Sequence, residues 1–556
     1  LRARNAGFPA SKQVRGSGRR VWQWVLRHRA LSAILLGAFV LRLVPVLWGI
    51  PLSPFVQSYH PDEPKVYHAI LHFPGIYWST EAFPGYGTAV QYTLGLLLLP
   101  VKLLLVKILD MRELYAIVVW IMGRLASITM GTASVYLVYR LACRLFDERT
   151  AIVSALFLAS SFYHTLNSSI ITVDVATSFF IALNILLCLR AIEDDRLSSY
   201  FAFGIGTGLL LGTKLPAGIF LVIPLLLGMQ KALGEGGGTV PGKNRITGQL
   251  QRFTVYGATA LGVFLIFHPH ILLDPAKFIS FFLVEKHDWM DRVATSVGGM
   301  LRIWQRETVA ALGGGVALLA LLGMLIPGKA NLRYKLALIA FVVLYTGFWR
   351  WFLKGRYVIA VAPILCLFAA HLCVRLLDSR WRMPKWIGGG AVAVVFLTSL
   401  SSVLSAIHLR LNDTRPPAAR YLLENIPAGT TVGIAGVSEK YPWKTHRWRY
   451  PRVDFTRFKA VDFLQEPDIL ILSSYDYQPV LHTLESGRLG SGYVLDEAYH
   501  REWYRFAAPS PGIFEFYDRL LNQNDGRYVL FKSFSTEVKV PLEFPPPEIR
   551  IYRRTL

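Results

Sequence analysis

Four consecutive residues, His60-Pro61-Asp62-Glu63, place two carboxylates and an imidazole directly after the first long apolar run, Leu31 to Ile50. A carboxylate at a lipid–water boundary can take a proton from a nucleophile, bind a cation or pair with a basic side chain, and local burial decides which. An acidic dipeptide can equally be an ordinary solvated loop. The surrounding elements choose between these readings, because ionisable groups become costly only beside or within lipid.

Those elements are apolar. Hydrophobic residues make up 53% of the chain, and several runs reach the length of about 20 residues that a helix needs to cross a bilayer. The net charge of +23 comes from Lys and Arg clustered between apolar runs, a pattern that sets membrane orientation and argues against nucleic acid as a partner. Cys143, Cys188, Cys366 and Cys373 lie in or at the ends of apolar runs without metal-ligand spacing, so neither a zinc site nor a disulfide framework is expected. Residues 1–29, basic and rich in small side chains, read as a flexible cytoplasmic arm.

Basic clusters mark cytoplasmic loops, so the arm puts the amino terminus inside and the outer loop 51–92, with its acidic motif, outside. Spans are then predicted at 115–140, 151–166, 173–189, a hairpin over 200–229, 253–267, 309–326, 336–352, 358–376 and 387–407. Together with the first run they make about eleven, and this count keeps basic loops inside at every turn. It requires residues 93–109, interrupted by Pro100, Lys102 and Lys107, to lie in plane or re-enter. The expected fold is a polytopic α-helical membrane protein over 30–410, with a second outer loop at 268–308. A soluble α/β domain over 411–556 follows on the outer face, with a helix near 414–425 and strands near 431–435, 469–472, 528–531 and 549–552.

This topology gathers the unusual polar residues on one side. His60, Asp62 and Glu63 share the outer face with Asp174, which opens a span, Lys214 at the hairpin turn, and Arg350 and Arg356 in a short outer loop. Each has a plainer use. Arg42 and Arg124, within spans, can pair between helices; Lys214 can snorkel; and Asp174 can offset a helix dipole. His268 and His270 flank Pro269 and do not share a helical face, so no metal site is expected there.

The order of these residues carries a resemblance. Arg42, Asp62-Glu63, Gly123-Arg124-Leu125, Arg144-Leu145-Phe146, Thr172-Val173-Asp174, Gly212-Thr213-Lys214 and Arg356-Tyr357 occur in the sequence of motifs that resembles GT-C type membrane glycosyltransferases. Within that type it resembles in particular the protein O-mannosyltransferase and aminoarabinose-transferase relatives. It covers roughly Leu31 to Ile407, and the tail, with Asp413-Thr414-Arg415, looks like the outer domains of bacterial relatives. Two features depart from it: Phe83-Pro84-Gly85-Tyr86 stands where aminoarabinose transferases carry Lys-Pro-Pro, and the second outer loop lacks an inserted ligand-binding domain.

The resemblance implies a bacterial inner-membrane enzyme with its site facing the periplasm or exterior. Its donor would be a polyprenyl-phosphate-linked sugar, and its acceptor a glycan, lipid or protein. It makes Asp62 the general base, with Glu63 orienting donor or acceptor. His60, Asp174, Arg42 and Arg124 would support the cavity, and Lys214, Arg350 and Arg356 would hold the donor phosphate. No cofactor is required, although Asp62, Glu63 and Asp174 could together bind a divalent cation, as oligosaccharyltransferase relatives do. A lipid or solute transporter and a non-catalytic envelope assembly protein are the competing classes.

Overall fold

Helix Arg112–Leu145 is apolar nearly all round and, at 34 residues, rises about 51 Å, ample for a bilayer core of about 30 Å. It belongs to a computed structural model that describes residues 28–555. Within that range 80–86, 234–242, 278, 281–296, 327–331, 350–353, 380–381, 435–449, 455, 463–464, 476, 478–515, 518, 522–525, 538–539, 541 and 543–544 fall outside the described residues. The predicted arm therefore lies outside except for its end, where Arg29 already opens helix Arg29–Leu43.

Among the described residues four helices are long and apolar enough to cross a membrane, or six if each bent pair counts as one span. That leaves the predicted eleven unconfirmed, because several apolar runs form shorter or broken helices. Helix Arg29–Leu43 has 15 residues and gives way at Pro45 to turns that run to Gly49. The run expected at 151–166 splits into Glu148–Ala159 and Phe162–Ser168 at Ser160-Ser161. Leu301–Leu312 meets Gly314–Leu325 at 111°, a corner that Gly313 permits with φ of +86°. Ala89–Leu97 and Leu99–Ile108 meet at 54° in the segment expected to lie in plane or re-enter. At the centre, helix Ala362–Leu377 is buried without interruption from Ala362 to Val374. A helix apolar on every side belongs at the middle of a bundle.

After helix Arg382–Leu411 come helix Arg415–Asn425 and, among the described residues, a five-stranded sheet: β1 (Thr431–Ile434), β2 (Lys459–Asp462), β3 (Ile469–Ser473), β4 (Tyr528–Phe534) and β5 (Ile549–Arg554). The order is β2-β1-β3-β5-β4, parallel from β2 to β3 and antiparallel thereafter. β3 is buried at all five positions, as a continuous apolar run in the middle of a covered sheet should be. β2, Lys-Ala-Val-Asp, carries no such pattern and was not anticipated.

Candidate active site

Asp62 occupies the N-cap of helix Glu63–Leu71, with Pro64 in its first turn, but its side chain caps nothing. One oxygen accepts from Arg356 Nη1 at 2.5 Å and the other from Lys65 Nζ at 3.2 Å. Its side chain keeps 12% of its exposure, so solvent or a ligand can reach it. His60 sits beneath, accepting at Nδ1 from the Asp62 amide at 3.3 Å. Burial pushes the imidazole down to about 3, so the ring is neutral at ordinary pH and carries its proton on Nε2.

Glu63 points elsewhere. Both its oxygens meet Arg124, Nε to Oε1 and Nη2 to Oε2 at 2.7 Å each, and Oε1 also accepts from the Ile171 amide at 2.9 Å. The remaining Arg124 nitrogen donates to the carbonyls of Val46 and Trp48 at 2.6 Å. Both side chains are wholly buried. This bidentate pair anchors the entrance of the acidic loop to helix Arg112–Leu145 and leaves Glu63 no face to turn toward a substrate, in place of the expected orienting role.

Arg42 is also fully buried, and its bonds explain it. Nη1 and Nη2 reach the Ala159 and Leu158 carbonyls at 3.3 and 3.5 Å, beside the break at Ser160-Ser161, while Nη2 meets His164 Nδ1 at 3.0 Å. It serves as a cap for a broken helix. Gly131 makes the room, since a Cβ there would lie 3.1 Å from Arg42 Nε.

Asp174 and Lys214 form a third ion pair at 2.5 Å, with the Lys214 ammonium 4.5 Å from the Tyr357 ring. Tyr357 stacks on Trp349 at 4.2 Å and lies 5.4 Å from the Arg356 guanidinium. Asp62, Arg356, Tyr357, Lys214 and Asp174 thus form one continuous polar and aromatic wall. Lys214 is committed to Asp174, and Arg350 lies outside the described residues. Each of the three acids expected to share a cation is bonded to its own basic side chain, and no metal-sized cluster of His, Cys, Asp or Glu occurs among the described residues. That donor set does not fit a divalent ion as arranged. His270 Nε2 meets Tyr92 Oη at 2.9 Å instead.

The tail's clasp on the acidic loop was not expected from the sequence. Arg415 chelates Asp413 at 2.8 and 2.5 Å and lies 3.7 Å over the Tyr59 ring, while Trp48 Nε1 donates to Asp413 at 3.0 Å. Gln57 donates to the Tyr450 carbonyl at 2.9 Å, and Arg452 to the Ser53 and Val56 carbonyls at 3.1 and 3.3 Å. The acidic loop is therefore gripped by Arg124 on one side and by the tail on the other. The adjacent Asp413-Thr414-Arg415 was the one sequence signal for it.

Residues 118–273, which include Arg124, Asp174 and Lys214, match the family model "Dolichyl-phosphate-mannose-protein mannosyltransferase". No curated protein matches the chain in sequence. Among solved structures it is similar to ArnT from Cupriavidus metallidurans bound to undecaprenyl phosphate, at 15% identity and TM-score 0.44, over 84% of this chain and 95% of that one. It is also similar to the Archaeoglobus fulgidus oligosaccharyltransferase tethered with an acceptor peptide, at 13% identity and TM-score 0.41, over 73% of this chain. Only 58% of that oligosaccharyltransferase is spanned. The family likeness thus extends over residues 118–273, the stretch that holds Arg124, Asp174 and Lys214.

Proposed function

We propose that this chain is an inverting glycosyltransferase that moves a sugar from a polyprenyl phosphate to an acceptor hydroxyl on the outer face of a bacterial inner membrane. The observation that carries it is the pair of Asp62 with Arg356: a reachable carboxylate bonded to a guanidinium, beside a wall of further charge. Asp62 takes the proton of the acceptor hydroxyl as that oxygen bonds to the anomeric carbon. The bond from that carbon to the phosphate oxygen breaks, and its electron pair leaves on the polyprenyl phosphate. Arg356 offsets the carboxylate before reaction and the growing phosphate charge during it. The donor class is supported by the family description, which names a sugar on a dolichyl phosphate. Glu63 with Arg124, and Asp174 with Lys214, keep the geometry fixed.

The test is reconstitution of the purified full chain in liposomes with labelled polyprenyl-phosphate sugars and envelope acceptors. Transfer that depends on the lipid-linked donor is the expected result. Substrate flux without covalent transfer would assign a transporter, and neither transfer nor flux with any donor would assign a non-catalytic assembly role.

A further inference from the structure

Arg356 and Tyr357 stand on a single helical turn, Gly355–Val358, in which the Tyr357 amide donates to the Lys354 carbonyl at 2.8 Å. One turn does not hold itself, because fixing it costs more chain entropy than its hydrogen bonds return. Lys354, at its N-cap, has no side-chain acceptor to offer. The acceptor comes from another element: Glu307 Oε2, on helix Val297–Leu312, takes the Gly355 amide at 2.7 Å.

Gly355 also lies flush against Tyr163, where a Cβ would come within 2.1 Å of the ring. Its backbone is thus fixed between Glu307 and Tyr163, one residue before Arg356, whose Nη1 bonds Asp62. The Glu307 side chain keeps 16% of its exposure, and Oε1 accepts from Arg306 Nε at 2.9 Å. A carboxylate bonded to an amide is a stronger clamp than a neutral acceptor, by roughly twofold. Such a clamp matters beside reacting groups, where misplacement by about 1 Å can cost about 10²-fold in rate.

We propose that Glu307 is a positioning residue for sugar transfer: it clamps the Gly355 amide and so seats Arg356 against Asp62, acting through that guanidinium rather than through substrate. This rests on the reading of Asp62 and Arg356 given above. The pair is then assembled from three separate stretches of chain, with the acidic loop supplying Asp62, the short outer turn supplying Arg356, and the end of the second outer loop supplying the carboxylate that holds the turn. Glu307 was not among the residues singled out in the sequence, since its partner is a backbone amide that carries no residue signature.

Steady-state transfer by the full chain in liposomes tests it. Glu307→Ala should lower kcat about ten- to a hundredfold, with KM within about threefold of wild type. Glu307→Gln, which keeps an oxygen for the Gly355 amide, should recover most of that loss. In a chain already carrying Arg356→Gln, Glu307→Ala should cost no more than about threefold further, since its effect passes through the missing guanidinium. Equal losses in both backgrounds, a Glu307→Gln variant as slow as Glu307→Ala, or a rise in KM alone overturns the proposal. Hydrogen exchange answers independently of activity: the amides of 355–358 should exchange faster in Glu307→Ala, and unchanged exchange there overturns the clamp. A wild type that transfers no sugar overturns the glycosyltransferase reading and this role with it, whereas transfer that Glu307→Ala leaves unchanged overturns this role alone.

Discussion

Asp62 and Glu63 are joined by one peptide bond and serve opposite ends. Glu63 is wholly buried, accepts three hydrogen bonds and lies against Arg124, whose other contacts are backbone carbonyls. Asp62 is partly exposed and shares its oxygens between a guanidinium and an ammonium that also faces solvent. Successive residues at a helix start point about 100° apart, so one acid enters the bundle while its neighbour keeps some exposure beside Arg356. Burial with full satisfaction makes a strut, and partial exposure beside a cation makes a base.

The sharpest way to break this comparison is Glu63→Gln. It strands Arg124 as an uncompensated buried charge and should cost about 3–5 kcal/mol of stability, read as a lowered unfolding midpoint in detergent. Pairing it with Arg124→Met should recover much of the loss; equal losses in single and double variants would mean the pair is no strut. Next comes the tail's grip on the acidic loop. Trp48→Phe removes a hydrogen bond to the charged Asp413 and should cost about 2 kcal/mol, with kcat falling more than KM rises. A change in KM alone would show that the tail contacts substrate rather than holding the loop.

The smallest effect is pH-dependent. The folded His60 is held near 3, below its unfolded value of about 6.5, so its contribution to stability is complete above 6.5 and is lost as pH falls toward 3. From pH 7 to 5.5 the loss should be about 1 kcal/mol, and His60→Asn should remove that component. An identical pH slope in both proteins would place the imidazole in water.

Much of this was legible in the sequence, and the failures have physical causes. Apolar runs announced their helices, and Asp62 stood out by type and position. The breaks at Ser160-Ser161 and Gly313 did not, because Arg42 and the packing of neighbouring helices make them tolerable, and both are tertiary facts. Span counting by charge saw apolar runs but not their interruptions. Arg356 reaches Asp62 across 294 positions, a distance no local pattern encodes.

The base assignment for Asp62 is tested most directly by single-turnover sugar transfer in Asp62→Asn, with donor binding and unfolding midpoint measured on the same preparation. Transfer should fall about 10²- to 10⁴-fold while donor binding stays near wild type and the protein remains folded, unlike Glu63→Gln. Transfer at the wild-type rate in Asp62→Asn would contradict the assignment.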